Sequence, residues 1–255
     1  MVLVFVSINY TWMIVNAIEQ GWEIIFQRAH GLLAAKIADK LAVKLRPDAA
    51  YWIDTLTAIA EHDDGQQDWQ GKNHVSDKGA PMDFTYHDPD LEQAKRVVAN
   101  GTYKSQWIAM LTSMHTYYLY KPLAEEDKEL KAFLEEQKDY QKNLRRHLGI
   151  RKEEAESAYT FMRWCDEFSL VLCGNQVPPQ SRKLETGALP KDTPRFISAT
   201  EEGYTVTPWC FEEDEFELFT EACYLPKLAY KNDEELLHQI RASKTVRKTF
   251  LFKKH

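Results

Sequence analysis

The sequence predicts a mainly α fold, a helical body carrying a small antiparallel β-sheet made by an N-terminal hairpin and C-terminal strands. Three observations lead there. Apolar residues recur at helical spacing through most of residues 29–174; two β-branched runs flank a Glu19-Gln20-Gly21 turn just before that body; and alternation returns beyond Pro178 and Pro179. A chain of 255 residues can bury a sizeable core on its own, so a single domain over 1–255 is expected, with the hairpin at 13–27, the helical body at 28–178 and a β-rich part at 179–255. Residues 1–12 are open to two readings, an extension upstream of Met13 or an additional edge strand.

The first helix is expected over 29–45, where Leu33, Ile37 and Leu41 recur at helical spacing ahead of Pro47. A second, over 48–63, is carried by Trp52, Leu56, Ile59 and Ala60 and stops at Gly65, a residue suited to a left-handed closing position. Residues 65–90 are rich in Gly, Asp, Asn, Pro and Lys and hold Trp69, Phe84 and Tyr86, a loop long enough to be functional. Helical periodicity returns over 90–99, 105–120, 125–148 and 152–174, for six helices in all. Beyond them, 195–207 alternates around a Glu201-Glu202-Gly203 turn, and 216–230 and 246–252 read as strands. The simplest assembly pairs these strands with the hairpin in one sheet.

The formal net charge of −7 argues against a surface built to grip a nucleic-acid polymer. Four cysteines, Cys165, Cys173, Cys210 and Cys223, are too few and too scattered for a disulfide scaffold or zinc ribbon and read as buried thiols of a reducing compartment. The apolar opening run is far shorter than the roughly 20 residues of a spanning helix and lacks basic flanks, so neither leader nor membrane anchor is expected and the cytoplasm is the expected location. The Lys244, Arg247, Lys248, Lys253, Lys254 cluster reads as an exposed strand face. The sequence leaves the oligomeric state open.

Ionisable residues sit on the inward stripes of four helices. His30 is flanked at four residues by Phe26 and Ala34; Asp63 follows Ile59 and Ala60 by four and three; His115 has Leu111 and Leu119 at four; Asp166 has Met162 and Leu170 at four. A lone inward histidine is most often a satisfied core residue, and Arg163 is the ordinary partner for Asp166. Asp64 alone reads as a solvated cap. Glu61, Asp63 and Asp64 nevertheless crowd a helix C-terminus whose dipole favours cations, and a buried carboxylate requires a cation or a proton. Imidazole and carboxylate together are ligand types for a divalent metal such as Mn, Mg, Fe, Ni or Zn. Among the basic residues, Arg28, Lys104 and Arg163 are candidates to hold a small anionic substrate, and Trp69, Phe84 and Tyr86 to stack on a ring.

The order His30, then the His62-Asp63 pair, then Asp166 resembles the HD-domain superfamily of metal-dependent phosphohydrolases. Gln27-Arg28-Ala29-His30-Gly31, Glu61-His62-Asp63-Asp64-Gly65 and the segment from Cys165 to Cys173 are similar, with the hairpin from Met13, to an uncharacterised bacterial family catalogued as domain of unknown function 3891. The closer resemblance covers nearly the whole chain and supplies no substrate. The wider one implies an HD-domain-like helical bundle with the metal held by His30, His62, Asp63 and Asp166. It also implies hydrolysis of a phosphoester, phosphoanhydride or nucleotide, with His115 and Asp63 in catalytic roles. His115 would be a general acid or a ligand to a second metal bridged by Asp63; binuclear relatives usually show two such histidines, and His87 is the candidate to complete the pair. Two alternatives stand beside the hydrolase, a di-iron oxygenase and a protein that binds metal or ligand without turnover.

Overall fold

The chain was analysed as a computed structural model that describes residues 13–65, 74–86, 90–125, 127–190 and 193–255. Strands β1 (Met13–Ile18) and β2 (Gly21–Phe26) form the expected hairpin, and β2 runs directly into α1 (Gln27–Lys40). After two 3-10 turns come α2 (Trp52–Ala60), α3 (Leu91–Thr102), α4 (Gln106–Tyr120), α5 (Lys128–Leu148) and α6 (Lys152–Cys173). The remainder is β3 (Leu184–Ala188), β4 (Pro194–Thr200), β5 (Gly203–Thr207), β6 (Glu215–Leu225), α7 (Asp233–Ala242) and β7 (Thr245–Lys253).

These strands overturn the mainly α expectation and the helical bundle that the HD resemblance implied. Half of the chain is helical and nearly a quarter is strand, in one curled seven-stranded mixed sheet that contains both the N-terminal and the C-terminal strands. Its order is β1-β2-β6-β7-β5-β4-β3, antiparallel throughout except for the β5–β7 pair. Two elements escape the sequence reading for physical reasons. The β3 segment, Leu-Glu-Thr-Gly-Ala, lacks a β-branched run and holds Gly187 at φ +74, so it extends only because β4 pairs with it. The α7 segment has a charged first turn, and its apolar stripe is only Leu236 and Ile240; its clearest signal is Asn232, which caps Glu235 N–H.

β1 and β2 are buried on both faces. Ile14 and Ile25 join the main core with α1, α2, α4 and α6, while Met13 and Ile24 join a second cluster with Cys223, Leu225, Leu236 and Ile240 beneath α7. On the main-core side α1 lies against β6 and α6, and α2 and α4 close over them. Gly31 sets the spacing of this layer, because a Cβ there would lie 2.6 Å from the Ala60 carbonyl oxygen. Only a glycine lets α1 come so near the end of α2.

The first two helices end earlier than expected, α1 at Lys40 and α2 at Ala60, so His62 and Asp63 stand on the turn after α2. A run of carboxylates at the negative end of a helix dipole favours that early stop. Gly65 is not in the left-handed region; its role is close approach, since a Cβ would meet Gln93 O and Val97 of α3 at 2.4 Å. Residues 1–12, Trp69 and His87 lie outside the described residues.

Candidate metal centre

His30 occupies the first turn of α1, His115 the middle of α4 and Asp166 the inward stripe of α6, while the turn after α2 brings in His62 and Asp63. All five meet. The Nε2 atoms of His30 and His62 are 3.2 Å apart, and Asp166 Oδ1 lies 3.2 Å from the first and 3.1 Å from the second. Asp63 Oδ2 lies 3.4 Å from His62 Nε2 and 3.7 Å from His30 Nε2. Asp166 turns its other oxygen toward His115 Nε2 at 3.9 Å. The three imidazoles and Asp166 are buried, and Asp63 keeps 18% side-chain exposure.

Hydrogen bonding makes this arrangement unusual. His62 Nδ1 is 2.7 Å from the Ile59 carbonyl oxygen, which only accepts, so Nδ1 carries the hydrogen. In neutral His62 the Nε2 lone pair then faces two carboxylate oxygens and a second imidazole nitrogen. Acceptors so close repel unless a proton or a metal cation lies among them. Without metal the proton serves: burial disfavours the charged imidazole, but Asp63 and Asp166 outweigh it and raise the His62 pKa well above 6.5. Burial would likewise raise both carboxyls, yet His62 and His30 hold Asp63 and Asp166 below the usual carboxylate range. His115 behaves oppositely, as burial and then the neighbouring His62 charge push it down to about 4.

The donor set fits a divalent ion. Imidazole nitrogens and carboxylate oxygens at roughly 2.0–2.2 Å from a metal in tetrahedral array lie about 3.4 Å from one another, and the contacts between the imidazoles and carboxylates of His30, His62, Asp63 and Asp166 run from 3.1 to 3.7 Å. His62 has the second partner that ligating histidines usually have, through Ile59; His30 Nδ1 has none among the described residues.

Other expected site residues fall differently. Arg28 is half exposed and pairs with Asp64 at 3.4 Å, and Lys104 pairs with Glu61 at 2.5 Å, so cations flank the 61–65 turn. Arg163 does not partner Asp166; it stacks on Tyr118 and reaches Glu167 at 3.6 Å. Phe84 and Tyr86 line a separate groove of about 560 Å³ between β1 and α6. Two contacts were not read from the sequence. Gln27 donates from Nε2 to Asp63 Oδ2 at 3.0 Å, and Tyr159 OH lies 3.4 Å from His115 Nδ1. Gln27 had a signal, a polar residue three before His30 on the same helix face; Tyr159 had none beyond its place seven residues before Asp166.

The family described as "Protein of unknown function (DUF3891)" matches residues 13–227, from the first residue of β1 to just past β6. The chain belongs to that family. The DUF3891 span contains every residue of the centre, while α7 and the central strand β7 fall outside it. No curated protein and no solved structure matches the chain. Among the described residues no helix is long and apolar enough to cross a membrane.

Proposed function

We propose that the chain is a metal-dependent hydrolase of a small phosphoester, phosphoanhydride or nucleotide, with His30, His62, Asp63 and Asp166 holding one divalent ion. The observation that carries this reading is the buried meeting of His30 Nε2, His62 Nε2 and Asp166 Oδ1 within 3.1–3.2 Å, with the His62 lone pair held inward by Ile59. The order of these residues, similar to that of HD-type phosphohydrolases, favours phosphoryl chemistry over other metal-assisted hydrolysis. A bound divalent ion supplies a hydroxide nucleophile near neutral pH and polarises a phosphoryl oxygen.

The chain's own groups divide the remaining work. Asp63, the most open member, is the one an entering substrate meets first, and its carboxylate can accept a hydrogen bond from water and orient it. Tyr159 keeps its phenol proton, because burial raises its pKa above the ordinary value, and can donate it to His115 Nδ1. His115 then presents Nε2–H on the Asp166 side as a neutral hydrogen-bond donor to a phosphoryl or leaving-group oxygen. Arg28 and Lys104 beside the 61–65 turn add positive charge for an anion.

The test is to purify the protein without chelator, measure its metal, and assay phosphomonoesters, phosphodiesters and nucleotides with added Mn, Mg, Fe, Ni or Zn. About one equivalent of metal and turnover abolished by chelation and restored by metal are expected. Metal without turnover on any of these would reduce the reading to a binding protein, and iron near two equivalents would favour an oxygenase.

A further inference from the structure

We infer that Gln27 is a positioning residue of this centre, holding Asp63 in the orientation that faces His30 and His62; the inference rests on the metal reading above. Gln27 is the first residue of α1, fixed by the β2–α1 junction, and is 4% exposed. Its Nε2–H donates to Asp63 Oδ2 at 3.0 Å, and this is the same oxygen that approaches the two imidazoles. Asp63 stands on a turn rather than a helix, so its backbone restrains it less than those of His30 and Asp166. The hydrogen bond from Gln27 supplies the missing restraint.

The other end of the amide shows that this is not an ordinary core crosslink. Gln27 Oε1 is buried and has no partner among the described residues, whereas Oε1 of the buried Gln137 accepts from Ser113 at 2.9 Å. An unmet buried acceptor destabilises the fold, and a leucine of similar volume would avoid it. Glutamine here therefore acts through Asp63. A glutamate would place a third carboxylate beside the pair and, once ionised, could not donate to Asp63.

The experiment compares wild type with Gln27→Leu and Gln27→Asn, the second keeping the amide but shortening its reach, so that the comparison survives if leucine fails to fold. Each protein is titrated with Co(II), reading both the affinity and the visible absorption spectrum of the bound ion, and metal-free unfolding is followed separately. Affinity should fall on the order of 10–100-fold in both variants, with a changed cobalt spectrum and metal-free unfolding no earlier than in wild type for the leucine variant. Equal affinity and an unchanged spectrum in a folded variant overturn the inference while leaving the metal reading intact. A wild-type protein that binds no cobalt overturns both.

Discussion

Two of the buried polar clusters among the described residues are built in opposite ways. Under the sheet, Glu23 of β2 accepts from Asn16, Lys248 and Asn175 with Oε1 at 2.9, 2.6 and 3.3 Å, and from Tyr224 with Oε2 at 2.9 Å. Lys248 also reaches Asn175 Oδ1 at 2.7 Å and the Cys173 carbonyl at 3.5 Å, so its three N–H donors each have an acceptor. At the helical centre, two imidazole nitrogens converge on each other and on two carboxylates, and Gln27 Oε1 and His30 Nδ1 are unmet. A closed network is a staple: it ties β1, β2, β6 and β7 to the end of α6. Under the proposed function, the open one is completed by a cation. Of the basic cluster read as an exposed strand face, Lys244, Arg247 and Lys254 are exposed, whereas the Lys248 side chain is 13% exposed and serves the staple.

The largest expected effect is at the open cluster. Asp166→Asn and His62→Ala should abolish metal retention, measured as metal content after gel filtration, while the helical circular dichroism signal stays. Full retention in both variants would mean that the open cluster is no metal site. At the closed cluster, Lys248→Met should leave Glu23 buried without its cation and lower unfolding stability by roughly 3–5 kcal/mol, with metal content of the folded protein unchanged. The double variant Glu23→Gln, Lys248→Met should regain most of that loss; if the single variant costs less than about 1 kcal/mol, the staple is a surface pair in effect.

Gly31→Ala tests how closely α1 and the end of α2 must approach to form the open cluster. Its Cβ would press on the Ala60 carbonyl oxygen, so a loss of about 1–3 kcal/mol is expected, together with weaker metal binding as the turn carrying His62 shifts. Unchanged stability by denaturant titration would show that α2 relaxes freely. The smallest effect is a difference in pH slope. The Glu23 pKa is lowered, burial being outweighed by Lys248 and its hydrogen-bond donors, so its contribution is present above the ordinary carboxyl value of 4.5 and lost as pH falls through the folded value. The His62 pKa is raised, so in metal-free protein its contribution is full below 6.5 and lost as pH rises through the folded value. Metal must displace that proton, and metal affinity should therefore increase as pH rises from 6 to 8, with proton release visible by calorimetry in buffers of different ionisation enthalpy. A flat profile would break the comparison.

The helical body was readable because amphipathic spacing is a local property. Predicted spans 105–120 and 152–174 lie within a residue of α4 and α6, and the inward placement of His30, His115 and Asp166 follows from the same stripes. His62 and Asp63 were readable as a pair but not as turn residues, since the apolar spacing of α2 runs on to Asp63 while the carboxylates at its end favour stopping at Ala60. Arg163, weighed as the ordinary partner that would make Asp166 structural, is not beside it: three residues along a helix makes contact possible, and the Tyr118 ring and Glu167 took the guanidinium instead.

By itself, the sequence determined the helices of the body, the two hairpins and which polar side chains turn inward, but not β3 or α7, because backbone periodicity and turn chemistry act over a few residues. The pairing of the hairpin with C-terminal strands in one sheet was expected, but tertiary structure alone decided the strand order, that β7 lies in the middle of the sheet, and that Glu23 finds Tyr224 across 201 residues. It also decided that inward residues from α1, the α2 turn and α6 meet within hydrogen-bonding distance. Such contacts depend on strand order and on how closely two backbones approach, which no local pattern encodes.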